Sequence, residues 1–342
     1  MLVRDLGEFD LIDRLAAAIA EDNEHRIREL GATGFEALRS IGDDAAAWRH
    51  PMGVTVFTTD TMVEGVHFDL RYTGWRDLGW KCLATNISDI AAMGCVPSCA
   101  TITLGLRGDI PVDGLLEMYC GMMDLTAICG GAVVGGDIVK SPAFFISVAL
   151  EGVSQSGDAN ELLLRDNAKP GDHIAVTGTL GASAAGLKLL TEGADPAGLA
   201  TYAYLTAAHN RPMPRVAESI ALTGLGVRCA MDISDGLVDD LGKLCRASGV
   251  GAQVHASRIP ADERLISTFP ASWLDLALGG GEDYELLVAA PADVMQDALQ
   301  SMDTPLTIIG EVVERGQGIM VLDDNGQPMQ VHSGGWDHFR VE

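Results

Sequence analysis

The chain has 342 residues, more than a usual single domain of roughly 100 to 200, so two domains are expected. Hydrophobic residues make up 47% and aromatics only 5%, which suits a mixed α/β protein built on Ala, Leu, Val and Ile and excludes a disordered chain. Lys and Arg number 23 against 48 Asp and Glu, and the resulting formal charge of -25 argues against nucleic acid as a partner. A phosphate-bearing substrate would then need divalent metal to neutralise it. The charged opening (Arg4, Asp5, Glu8, Asp10) does not read as a secretory leader, and no apolar run approaches the roughly 18 residues of a membrane span. A soluble, cytoplasmic protein is expected. Seven cysteines without a CxxC pair suggest buried thiols rather than zinc ligands or a disulfide framework.

In chain order, residues 9–20 carry apolar side chains at three and four residue spacing and predict an amphipathic helix. Strands are predicted at 54–59, 100–106 and 144–150 from their β-branched and aromatic content. Helices are predicted between them at 76–93 and 113–129, the second stopped by Gly130-Gly131. The polar, turn-rich stretch 152–172 marks a boundary, giving domains 1–151 and 152–342. The second domain opens with the strand-like HIAVTG, which runs through the turn Gly178-Thr179-Leu180-Gly181 into a helix. A helix opened by Ser234-Asp235, the turn Gly279-Gly280-Gly281, the strand YELLVAA and a last strand TIIGEVV follow.

Five segments carry candidate chemistry: Gly42-Asp43-Asp44, Thr58-Thr59-Asp60, Asn86-Ile87-Ser88-Asp89, Gly135-Gly136-Asp137 and Asp232-Ile233-Ser234-Asp235. Singly, each also reads as ordinary turn or capping chemistry. Together they place carboxylates and hydroxyls beside apolar strands and helices rather than on charged surfaces. Two like charges about 4 Å apart at an effective dielectric near 20 repel by roughly 4 kcal/mol, so a convergent set requires cations. Magnesium, which favours hard oxygen ligands, fits such a set and points to polyphosphate chemistry. No GxxxxGK[ST] loop and no HRD or DFG set is present, which sets aside the two commonest nucleotide-handling designs. Arg165 is a candidate phosphate clamp, Glu282 follows a glycine turn, and Trp336 offers a ring for stacking; surface solubility and core covering are their plainer readings.

The segments GEFDLI, IGDDAA, TTDTMVEGVHF, NISDIAAMG, GGDIVKSP, RDNAKPGDHIAVTGTLG, MDISDGLVDDL, GGGEDYELL and GGWDHF, in this order, resemble the thiamine-monophosphate kinase family. This family lies within the larger group typified by aminoimidazole-ribonucleotide synthetase. The resemblance implies two α/β domains, the N-terminal one a mixed sheet that binds ATP and metal and dimerises through a barrel-like interface, the C-terminal one completing the active-site cleft. It implies ATP-dependent phosphorylation of thiamine monophosphate to thiamine diphosphate by a homodimer. By motif, Asp43, Asp44, Thr58, Thr59, Asp60, Asp89, Asp137, Asp232 and Asp235 correspond to the magnesium set. Gly136, Asp137, Arg165, Ser234 and Tyr119 correspond to ATP contacts, and His67, Glu282 and Trp336 to contacts with the thiamine phosphate. Another ATP-using member of the same group, or a noncatalytic nucleotide-binding regulator, is the alternative; the absence of a cysteine before Cys82 argues against a selenophosphate-forming enzyme.

Overall fold

The computed structural model describes residues 1–2, 8–31, 36–39, 47–49, 53–192 and 198–329, with no account of the side chains at 8–10, 12, 13, 36–39 and 47–49. Asp43, Asp44 and Trp336 lie outside the described residues. The chain divides into two compact units, Met1–Ala91 with Cys95–Asn160, and Ala92–Gly94 with Glu161–Glu342.

The first unit runs α1 (Glu8–Leu30), β1 (Glu36–Arg39), β2 (Ala47–Arg49), β3 (Thr55–Val63), α2 (Trp75–Ala92), β4 (Val96–Leu106), α3 (Val112–Cys129), β5 (Ala132–Lys140) and β6 (Phe145–Val153). A four-stranded sheet has the order β3-β6-β4-β5, with β4 and β5 parallel and the other pairs antiparallel. One face of it is apolar: Ile102, Leu104, Ile146, Val148 and Leu150 are buried, as are Leu83, Ile87 and Ile90 of α2 and Leu115, Met118 and Met122 of α3. On the other face the rows Thr61, Ser147, Thr103, Asp137 and Thr59, Ala149, Thr101, Gly135 are half-buried or exposed, and Phe57 is 72% exposed. Alternation of side chains along each strand produces this division. Among the described residues the sheet does not close into a barrel.

Gly135-Gly136-Asp137, a carboxylate after flexible glycines in the sequence, lies inside β5. Gly136 answers a packing demand: a Cβ there would stand 2.1 Å from the carbonyl oxygen of Ile102. The strand predicted at 54–59 runs on to Val63, which puts Thr58, Thr59 and Asp60 in mid-strand.

The second unit runs β7 (His173–Thr177), α4 (Ala182–Glu192), α5 (Leu199–Asn210), α6 (Val216–Gly224), β8 (Cys229–Asp232), α7 (Leu237–Ser248), β9 (Gly251–His255), α8 (Glu263–Thr268), α9 (Trp273–Gly279), β10 (Leu286–Ala290), α10 (Ala292–Ser301), β11 (Leu306–Val313) and β12 (Ile319–Leu322). Its six strands are ordered β12-β9-β11-β7-β10-β8. Ile174 and Val176 of β7 belong to one core with Leu237, Leu241 and Leu244 of α7, whereas Ala175 belongs to another with Leu222 of α6 and Met295 of α10. Both sheet faces are therefore covered, which explains why β10 is buried along its whole length. No helix among the described residues is long and apolar enough to cross a membrane.

Candidate active site

In the first unit the strand period sorts the motif Thr58-Thr59-Asp60. Thr58 and Asp60 share the face turned toward α2, and Thr59 points to the other face, where its hydroxyl donates to the Val148 carbonyl at 2.8 Å. Helix α2 presents Thr85, Asn86 and Asp89, three and four residues apart, to the same region. The Thr58 hydroxyl donates to Asp89 Oδ2 at 2.5 Å, and the backbone N–H of Asp60 donates to Asn86 Oδ1 at 3.1 Å. Asn86 is fully buried and its amide nitrogen returns to the Cys82 carbonyl, so it ties β3 to α2. Burial, and then the charge of Asp89, push the Asp60 carboxyl up to about 6 against the pull of a hydrogen bond from Thr85.

Two carboxylates and two hydroxyls thus gather where negative charge is already disfavoured, the donor chemistry that a hard divalent cation would relieve. Among the described residues no group of three or more acidic, His or Cys side chains is so placed that it could hold a metal ion. Asp137 does not join the pair. Asp60 lies in register with Val148, Ile102 and Gly136 across the sheet, three strand spacings or about 14 Å from β5. Asp137, one residue further along, is exposed on the opposite face. Tyr119 on α3 is 7% exposed, and burial raises its hydroxyl pKa. His67 follows β3 in a turn where its Nδ1 accepts the Val63 N–H at 3.0 Å, which places the proton of the neutral ring on Nε2.

In the second unit two distant motifs are drawn side by side. Strand β8 ends at Asp232, opposite Leu286 of β10, and the pairing continues beyond both strands: Ile233 N–H to Glu285 O at 2.8 Å, Tyr284 N–H to Ile233 O at 2.9 Å, Glu282 N–H to Ser234 O at 2.8 Å. Asp232, Ser234, Asp235 and Glu282 are brought together by this zipper. Gly281 must be small, because a Cβ there would lie 2.5 Å from the Ser234 carbonyl. Glu282 and Tyr284 have φ of 66° and 52°, in the left-handed region where each non-glycine residue costs about 1–3 kcal/mol. Arg165 is exposed, with its backbone carbonyl accepting from Ser248 Oγ at 2.9 Å.

Two anchors missed in the sequence hold this strained segment, and a third holds the start of α7. Glu285, 5% exposed, receives Arg215 Nε at 2.7 Å, Arg215 Nη2 at 2.5 Å and the Thr177 hydroxyl at 2.6 Å. Asp283 accepts the N–H groups of Gly181 at 2.6 Å and Ser183 at 3.2 Å, while burial pushes its carboxyl up to about 7 against these bonds. The start of α4, a glycine-rich turn of the kind that cradles phosphates, is therefore filled by the chain's own carboxylate. Asp240 does the same for α7, accepting from Ser234, Asp235 and Gly236 at 2.9, 2.9 and 3.2 Å, and Lys243 pairs with both Asp235 and Asp240. Asp240 was legible as an acid in the first turn of a helix. Arg215, 70 residues from Glu285, had no local signal.

The models of AIR synthase related proteins match residues 42–154 with their N-terminal domain and 169–323 with their C-terminal domain. A thiamine-monophosphate kinase of Bacillus subtilis (strain 168) is 36% identical over 307 residues, 88% of this chain and 93% of that protein. The crystal structure of a thiamine-monophosphate kinase from Stenotrophomonas maltophilia K279a superposes with TM-score 0.78 at 36% identity, covering 95% of this chain and 98% of that one. A structure of AaThiL complexed with AMPPCP and TMP is 33% identical over 99% of each chain, with TM-score 0.75. The clustered motifs and this kinship agree, and the chain belongs to the thiamine-monophosphate kinase family of AIR synthase related proteins.

Proposed function

We propose that the chain phosphorylates thiamine monophosphate with ATP to give thiamine diphosphate and ADP, with magnesium as the required metal. Kinship along nearly the whole chain with thiamine-monophosphate kinases carries this reading. Thr58, Asp60 and Asp89, with Asp43, Asp44 and Thr59 by motif, would hold metal in the first unit, and Asp232 and Asp235 in the second. Magnesium bound there would neutralise the phosphate oxygens as charge shifts between them.

The transfer joins a phosphate oxygen of the acceptor to the γ-phosphorus as the bond from that phosphorus to the β,γ-bridging oxygen breaks, and ADP leaves. The acceptor oxygen is already ionised at neutral pH, so no strong general base is required. His67, with its ring proton on Nε2, is suited to donate toward the acceptor phosphate, and Glu282 and Trp336 are assigned to the thiamine moiety. Gly136, Asp137, Arg165, Ser234 and Tyr119 are assigned to ATP. In this scheme the first unit is the ATP- and metal-binding, dimerising domain and also brings His67, and the second completes the site with Arg165 and Ser234 for ATP, Asp232 and Asp235 for metal and Glu282 and Trp336 for the acceptor.

A homodimer is part of the proposal. The open face of the four-stranded sheet carries Phe57, 72% exposed, together with Asp137, and a second copy packed there in a barrel-like arrangement would cover the first and could offer its own Asp137 to ATP. Free thiols at all seven cysteines agree with a reducing, cytoplasmic location.

The test is thiamine diphosphate formation by purified protein from ATP and thiamine monophosphate, with and without magnesium, with free thiamine as control acceptor. Magnesium-dependent product from the monophosphate alone is expected. Folded protein that forms no product would shift the assignment to another ATP-using member of the same group.

A further inference from the structure

We propose that His209 is a positioning residue that fixes the carboxylate of Glu282 for the acceptor, with Ser183 holding the imidazole in place; the inference rests on the assignment of Glu282 to the thiamine phosphate. The backbone around Glu282 is fixed by the bonds from Glu282 and Tyr284 to Ser234 and Ile233 and by the clamps on Asp283 and Glu285. Those bonds set where the Cα stands and leave the carboxylate direction to be decided by what faces it. His209 Nδ1 lies 3.4 Å from Glu282 Oε2.

The ring is well placed to impose a direction. His209 is 3% exposed and sits in the last turn of α5. Helix α5 crosses α4 so closely that a Cβ on Gly186 would meet the Leu205 carbonyl at 2.0 Å. The same Nδ1 stands 3.2 Å from the hydroxyl of Ser183, whose backbone N–H is bound by Asp283, the residue next to Glu282. A carboxylate offers no proton, so an attractive contact puts the proton on Nδ1, where the Ser183 hydroxyl oxygen shares it. The circuit Glu282, His209, Ser183, Asp283 closes on itself. A glutamate side chain 30% exposed loses rotamer freedom when it is held, and ordering it in advance spares the acceptor that loss on binding.

The experiment is steady-state kinetics and calorimetric binding of thiamine monophosphate for wild type, His209→Leu, His209→Asn, Ser183→Ala, Glu282→Gln and the double variant His209→Leu/Glu282→Gln, each checked for fold by circular dichroism. His209→Leu should raise KM and Kd for thiamine monophosphate about tenfold with KM for ATP within about twofold of wild type, the size of a lost charge-assisted contact. His209→Asn, which returns an N–H near the position of Nδ1, should recover most of the loss. Adding His209→Leu to Glu282→Gln should raise KM no further. Unchanged KM in folded His209→Leu, an equal rise in KM for ATP, or additive effects in the double variant would overturn the proposal. Should His209→Leu fail to fold, Ser183→Ala decides in its place: a selective rise in the acceptor KM supports the circuit and none refutes it. If wild type neither binds nor phosphorylates thiamine monophosphate, the assigned function falls by itself. A crystal structure of His209→Leu or Ser183→Ala showing Glu282 in an unchanged, single rotamer would then refute the positioning.

Discussion

Replacing Asp60 by Asn should make the protein more stable and less active. Asp60 is partly buried on β3 beside Asp89, and its carboxyl is displaced from the ordinary 3.8 to about 6 by burial and by that neighbouring charge. The displacement is worth about 3 kcal/mol, at about 1.4 kcal/mol for each tenfold change in proton affinity. Residual exposure and solvent screening reduce the expected gain to about 1–2 kcal/mol. The sign follows from linkage: between about pH 4 and 6 the folded state holds a proton that the unfolded chain has released, so stability falls as pH rises through this window. Asn carries no charge and escapes the penalty, so its advantage is full above about pH 6 and vanishes below about pH 4. Thermal melts in a chelator should show Asp60→Asn higher by about 2–8 °C at pH 8, scaled for a unit of roughly 150 residues, and level with wild type near pH 4. Added magnesium should raise the wild-type transition more than that of the variant, whose turnover should be largely lost. A variant less stable than wild type at pH 8 without metal, or equally stabilised at pH 4 and pH 8, would refute the account of this site.

Arg215→Met should destabilise the second unit by about 3–5 kcal/mol, because it leaves Glu285 buried with its main counter-charge gone. Burial already raises the Glu285 pKa despite Arg215, so the loss should be smaller at acid pH, where the carboxyl takes up a proton, than at pH 8; denaturant titrations at the two pH values check this. Gly136→Ala should lower stability by about 1–3 kcal/mol and disturb ATP use, because its Cβ cannot stand 2.1 Å from the Ile102 carbonyl without β5 shifting; an unaltered melting curve would refute the packing reason for this glycine.

The sequence by itself determined the order and type of most elements and which motifs carry the candidate residues. Apolar spacing located α2 and α3 within one residue of their observed limits, because a helix face is written in neighbouring residues. The residue types, hydroxyls and carboxylates, already carried the hard-oxygen expectation on which the proposed function rests. Tertiary structure decided which of those groups meet. Thr58 and Asp60 face Asp89 while Thr59 does not, because the strand runs on to Val63 and its period sends neighbours to opposite faces. Asp137 stands three strands from Asp60 because sheet order is set by long-range pairing. The clamps on the strained segment, Arg215 on Glu285 and Ser183 with His209 beside Glu282 and Asp283, join residues 70 and 26 or more positions apart. Nothing local encodes such contacts; they arise only when β7, β8 and β10 pair and α4, α5 and α6 pack beside them, since a buried charge must find its partner wherever the topology delivers one.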